Sequence, residues 1–168
     1  MEFYAGSGEL VINKIRISKL PPMSMCSETI QFNKETFGKY YNFSNFYKQE
    51  SWGLWTRGGQ AEIEFQTEPD CKARSVTFNL KAYVNSKNPE QTASVYINNK
   101  SVGNIQISSG EAQPKQFIFA LPNAQDNKYK IRFEINKPTS PKSVGHNNDT
   151  RKLGFIDMRL LPDEIAAQ

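Results

Sequence analysis

From Ala61 onward the sequence alternates. Ala61, Ile63 and Phe65 alternate with Glu62, Glu64 and Gln66. Val76, Phe78, Leu80, Ala82 and Val84 alternate with Thr77, Asn79, Lys81 and Tyr83, and Ala93, Val95 and Ile97 with Ser94, Tyr96 and Asn98. Phe117 to Leu121 and Tyr129 to Ile135 continue the pattern, and Val102 to Ile107 is the stretch that follows the Asn98-Asn99-Lys100 turn. A period of two is the geometry of a strand with one face buried and one face in water. Turn signals separate the stretches: Glu68-Pro69-Asp70, Asn85 to Pro89, the tight hairpin turn Asn98-Asn99-Lys100, Gly110 to Pro114, Asn123 to Asn127, and the long Pro138 to Asp149 loop. A last strand is expected over Leu153 to Leu161. Eight or more short strands with turns at near-regular spacing predict an all-β chain, an antiparallel sandwich or jelly roll. No stretch reads as an amphipathic helix longer than a turn or two.

The first part of the chain is less regular. Glu9 to Leu20 reads as a strand with Leu10 and Ile12 in one phase and Ile15 and Ile17 in the other, which predicts a bulge at Asn13-Lys14. Pro21-Pro22 ends it. Glu28 to Phe32 is a short strand candidate. Asn33 to Gln49 is rich in rings (Phe37, Tyr40, Tyr41, Phe43, Phe46, Tyr47) but holds neither period, so it is read as a long packed loop covering one end of a core. An exposed ring such as Tyr47 would extend a binding surface. At 168 residues the chain fits one domain. The sandwich is placed at 28–163 and a tail at 164–168. Residues 1–27 form an N-terminal strand and linker, one option being the end of a preceding module. Leu10 to Pro21 echoes Leu153 to Pro162, which suits that option, although two amphipathic strands also resemble one another by chance.

Charge and cysteine content narrow the function classes. The chain carries 21 Lys and Arg against 17 Asp and Glu, a net charge of +4. The basic residues are scattered singly, and a nucleic-acid footprint needs a patch. Two cysteines, Cys26 and Cys71, have no metal-ligand spacing and either form one disulfide or stay as two buried thiols. No apolar run approaches a membrane span, and the first residues lack the regions of a signal peptide. The chain is therefore read as cytoplasmic, or as a piece of a longer protein, periplasmic if that parent is membrane-anchored.

Catalysis finds no foothold in the motifs. The one histidine, His146, lies in a loop, and no nucleophile, phosphate-loop or zinc-protease signature is present. Glu62 and Glu64 are most simply a solvated strand face, and nothing selects a pair of carboxylates for glycoside hydrolysis. Binding is more natural. Glu50 to Gly59 holds both tryptophans, Trp52 and Trp55, followed by Arg57 and a Gly-Gly turn. Sugar rings offer apolar faces to indoles and hydroxyls to carboxylates and guanidinium groups. Trp52, Trp55, Glu50 and Arg57 supply both kinds. In an extended segment an offset of three puts the indoles on opposite faces, one core and one free; buried tryptophan alone is the competing reading. Asp149 and Arg151, two apart at the mouth of the last strand, form a second constellation. They would grip hydroxyls, a phosphate or a carboxylate, or else Asp149 tethers the loop while Arg151 pairs with a nearby acid. No cofactor is implied; a structural calcium ion held by Asp149 and loop carbonyls is a weaker option.

Taken together, Glu50, Trp52, Trp55, Gly58 and Ala61, then Asn98, Val102 and Gly103, then Ser140, Pro141, Gly145, Asp149, Arg151, Leu153 and Gly154 form a pattern over roughly Tyr41 to Pro162. It resembles an accessory β-sandwich domain appended to bacterial surface-polysaccharide glycosyltransferases and phosphoglycerol transferases. The resemblance implies a sandwich of the carbohydrate-binding-module kind and a polysaccharide context, with no catalytic residues to carry over. The expected function is a non-catalytic, lectin-like module binding a glycan or polysaccharide beside a parent glycosyltransferase, through Glu50, Trp52, Trp55, Arg57, Asp149 and Arg151. It would bind no nucleic acid and insert in no membrane. The alternative is a structural or assembly module that packs on that parent or pairs with itself.

Overall fold

The computed structural model describes residues 3–6, 9–12, 30–31 and 41–161, apart from 49, 51, 52, 72, 157 and 158. The bulge expected at Asn13-Lys14, Trp52 and Cys26 lie outside the described residues. In chain order the strands are β1 (Phe3–Gly6), β2 (Glu9–Ile12), β3 (Ile30–Gln31), β4 (Tyr41–Ser44), β5 (Gln60–Gln66), β6 (Ser75–Ala82), β7 (Glu90–Ile97), β8 (Lys100–Ser108), β9 (Lys115–Ala120), β10 (Lys128–Asn136), β11 (Phe155–Ile156) and β12 (Arg159–Leu161). All pairings between them are antiparallel.

The strands form an antiparallel β-sandwich. One five-stranded sheet has the order β4-β5-β10-β7-β8. In the second, β6 is central: β9 lies along one edge and β11 and β12 along the other, with β3 beyond β12. The strands β1 and β2 form a separate two-stranded sheet. The alternation seen in the sequence becomes the two inner faces. Ile63, Val95, Ile97, Ile105, Ile107, Ile131 and Phe133 of the first sheet and Val76, Phe78 and Leu80 of the second are 0–1% exposed. Phe78 meets Phe133 edge-on, ring centres 5.5 Å apart, which links the sheets across the core. Between β7 and β8, Asn98 and Asn99 are a two-residue hairpin loop with φ of 49° and 64°, the left-handed pair that asparagine tolerates. Cys71 is disulfide-bonded.

The strand β4 corrects the reading of Asn33 to Gln49 as a loop. Tyr41 and Phe43 pair with Phe65 and Ile63 of β5. Two apolar residues in one phase are too short a signal for a period, and the strand is an edge that only pairing defines.

Candidate functional site

The two motif stretches lie side by side at one end of the sandwich. Tyr47 N donates to Trp55 O (2.9 Å) and Arg57 N to Asn45 O (2.7 Å), so 45–47 runs antiparallel to 55–57. On the opposite edge Thr56 N donates to Phe155 O (3.0 Å) and Gly58 N to Lys152 O (3.3 Å), with Arg57 and Leu153 as bridge partners. Leu153 in turn exchanges both backbone hydrogen bonds with Thr139 (3.1 and 3.2 Å). Buried Thr56 completes the join, its Oγ1 accepting from Phe155 N at 3.0 Å. Gly154 is required there: a Cβ would sit 2.5 Å from Thr56 Oγ1. Much of the motif is thus architectural, and it fixes the backbone on which the site is built.

Trp55 is the inward indole. It is 7% exposed and packs with Leu153 against Tyr47 and Tyr83, meeting Tyr83 edge-on at 6.4 Å. It is thus the core member of the pair of indoles that an offset of three sets on opposite faces. Glu50 pairs with Gly53 through both backbone hydrogen bonds (2.9 and 3.4 Å), and Ser51 and Trp52 are the two residues between them in sequence.

The charged candidates converge. Arg151 Nη1 donates to Glu50 Oε1 at 2.5 Å, and Nη2 donates to Asp149 Oδ2 at 2.7 Å. Arg151 Nε adds bonds to both Asp149 oxygens, and Arg151 N donates to Asp149 Oδ1 at 2.9 Å. The hydrogen bonds from Arg151 hold the Asp149 carboxyl below its ordinary value of 3.8, and Asp149 followed by Glu50 push the guanidinium further up. Both halves of the structural reading of this pair are visible: Asp149 tethers the loop, and Arg151 pairs with acids on two segments. The guanidinium also stands where a calcium ion at Asp149 would need free carboxylate oxygens. Among the described residues no three His, Cys, Asp or Glu side chains gather as a metal site.

Arg57 is different. Its side chain is exposed and lies 5.8 Å from the centre of the Tyr47 ring, with no ion pair among the described residues. Arg151 lies 5.5 Å from the same ring, and Tyr47 Oη accepts from Lys152 N at 2.9 Å. Tyr47 is therefore held by two cations and a backbone donor.

Two site residues were not singled out by the sequence, Tyr83 and His146. Tyr83 follows β6, where its backbone N donates to Gly154 O at 3.2 Å. His146 is exposed on the 139–150 loop, which is tied by His146 N to Pro141 O (2.9 Å) and Lys142 N to Asp149 O (2.8 Å) and turned at Gly145, φ 71°. Tyr83 Oη and His146 Nδ1 are 3.0 Å apart, and the rings are within 15° of parallel with centres 6.3 Å apart. The hydrogen bond runs through the phenol tip, so the two near-parallel rings are joined edge to edge rather than face on face. Burial, then the Asp149 charge, raises the Tyr83 phenol above its ordinary value. Ring chemistry and spacing gave no signal here: Tyr83 sits in the polar phase of its strand, and His146 stands alone in its loop.

No family model matches the chain, and no curated protein does. Solved structures with a similar course include an acetyl xylan esterase from the rumen bacterium Butyrivibrio proteoclasticus, at 11% identity and TM-score 0.48 over 81% of this chain and 32% of that one. A glycoside hydrolase family 43 arabinoxylan arabinofuranohydrolase from Bacillus subtilis matches at 14% identity and TM-score 0.47, over 95% and 33%. A family 35 carbohydrate binding module from Clostridium thermocellum matches at 11% and 0.40, over 81% and 99%. The chain spans about a third of the length of the first two.

Proposed function

We propose that the chain is a non-catalytic carbohydrate-binding domain whose site is the end of the sandwich built from 45–58, Tyr83 and 139–155. One observation carries this reading: the hydrogen-bonded, near-parallel rings of Tyr83 and His146 stand within electrostatic reach of Asp149 in the Asp149–Arg151–Glu50 ion cluster. A flat ring surface takes the apolar face of a sugar, and adjoining carboxylate and guanidinium groups take hydroxyls at its edge. Exposed Arg57 extends the same surface in this reading, and Trp52 is kept as a proposed sugar contact on the grounds of its sequence alone. Because Arg151 is held on three sides, the cluster is preorganised and loses little side-chain entropy on binding. The resemblance to accessory domains of surface-polysaccharide transferases supplies the context, a bacterial surface glycan held near a transferase. Weak single-site binding suffices there, since tethering raises the effective ligand concentration.

The test is a titration of the chain with bacterial surface polysaccharides and their fragments, reading tryptophan fluorescence and backbone amide shifts. Trp55 touches Tyr83, so a sugar on the ring surface perturbs its emission. Binding that shifts Tyr83 and His146 and is lost in His146→Ala supports the proposal. A folded chain that binds none of them refutes it.

A second reading, an assembly module, draws on β9. This strand pairs only with β6 among the described residues, and its Ile118 is 54% exposed. Concentration-dependent association abolished by Ile118→Lys would favour it.

A further inference from the structure

The outer face of the first sheet carries an open groove of about 580 Å³, lined mainly by β7, β8 and β10 and reaching Gly59 at its margin. Strand register builds its floor. Asn136, Thr92 and Gln106 lie abreast on β10, β7 and β8, and Glu134, Ser94 and Asn104 form the next row. One rung further stand Arg132 and Tyr96, with the guanidinium 4.5 Å from the ring centre. Four of the six floor side chains are thus short, and one end carries the tall Arg132–Tyr96 pair.

A solvated sheet face is ordinarily polar, so polarity alone says little. The contrast within this face says more. Over β5 and β10, long charged residues satisfy one another: Lys130 Nζ lies 2.9 Å from Glu62 and 3.3 Å from Glu64. In the groove four of the six polar side chains, Thr92, Ser94, Asn104 and Asn136, make no hydrogen bond among the described residues. They offer two hydroxyls and two amides, each able to donate and accept. One carboxylate, Glu134, accompanies them, with one oxygen paired to Arg132 Nε at 3.3 Å, and no Lys or Arg is among the lining residues.

We propose that this groove is a second binding site, for a neutral, polyhydroxylated chain of disaccharide length or more. Two rows on three strands cover about 7 by 10 Å, the footprint of two pyranose rings. Hydroxyls at the ring edges meet the amides and hydroxyls in both senses, and Glu134 accepts from a vicinal pair. Lacking an aromatic floor, the groove recognises sugar edges, whereas the loop end recognises sugar faces. The one cation at its end, Arg132, is already taken by Glu134 at 3.3 Å, which leaves none for an anionic ligand.

The experiment is a titration of the isotopically labelled full chain with neutral glucose- and xylose-based di- to tetrasaccharides at millimolar concentration. Amide shifts of Thr92, Ser94, Asn104 and Gln106 are followed separately from those of Tyr83 and His146. The expected result is a saturating shift in the groove set. Ser94→Arg, which fills the floor, is expected to weaken it about tenfold or more, corresponding to about 1.4 kcal/mol, without changing the response at the loop end. Asn104→Ala, a milder change, guards against a folding defect and is expected to weaken binding severalfold. Shifts confined to the loop end, no shift with any of these sugars, or groove affinity unchanged in folded variants would each overturn the proposal. Failure of the loop-end site alone would leave the groove shifts intact, so the two readings fail separately.

Discussion

Arg151 joins Glu50 across 101 positions of sequence, guanidinium Nη1 to carboxylate Oε1 at 2.5 Å. That bond ties the 50–58 segment to the loop before β11. It makes Arg151 a clamp at the candidate site as well as part of its surface. All three members of the cluster are partly exposed, Arg151 35%, Glu50 25% and Asp149 23%, so solvent discounts the pairing. Arg151→Met is expected to cost about 1–2 kcal/mol in urea denaturation. A double-mutant cycle with Glu50→Gln is expected to show coupling of about 0.5–1 kcal/mol.

The same cluster sets an acid limit. Asp149 titrates below its ordinary value because Arg151 binds its charged form. The unfolded chain therefore takes up this proton before the folded one does. The contribution of Asp149 is complete above the unfolded carboxylate value and is lost as pH falls through the folded one. Asp149→Asn is expected to lower stability near neutral pH and to flatten its decline below about pH 4, measured as Tm against pH. An undiminished acid slope in the variant would assign the decline to other carboxylates.

Gly154 is the tightest point of the join. The methyl of Gly154→Ala would meet Thr56 Oγ1 at 2.5 Å and Ile135 Cγ2 at 3.1 Å. A cost of about 2–4 kcal/mol is expected. Thr56→Ala removes the acceptor for Phe155 N and is expected to cost about 1–3 kcal/mol by itself. It also removes the atom that the new methyl strikes. The double variant should therefore be less destabilised than the sum of the singles, and strict additivity would place the strain elsewhere.

The fold was more legible than the site, for a physical reason. Ile63, Phe78, Val95 and Ile131 announce their strands because burial of one face writes period two directly into the sequence. The Asn98-Asn99 turn is local chemistry and equally readable. The strand β4 escaped because Tyr41 and Phe43 carry too few positions to show a period among so many rings. At the site, Glu50, Asp149 and Arg151 were selected one stretch at a time, and nothing local says that their side chains meet. Trp55 read as a candidate because an indole beside a cation looks the same in sequence whether its ring faces Leu153 or water. Tyr83 and His146 were missed because their ring surface exists only once Gly154 and the 139–150 loop bring them together.

Trp55 and His146 separate stability from binding. Trp55 is enclosed by Leu153, Tyr47 and Tyr83, so Trp55→Ala leaves a large void and is expected to cost about 3–5 kcal/mol. His146 is exposed, and its side chain is bonded to Tyr83 alone among the described residues; His146→Ala is expected to change stability by less than about 0.5 kcal/mol. Glycan affinity should reverse that order. In folded protein, His146→Ala halves the ring surface and is expected to weaken binding by about 1 kcal/mol or more, roughly fivefold. Trp55→Phe, which keeps a ring behind Tyr83, should leave affinity nearly unchanged. Thermal melts and titrations on the same samples read both quantities. If His146→Ala binds as the unaltered chain does, the ring surface is not where the sugar lies.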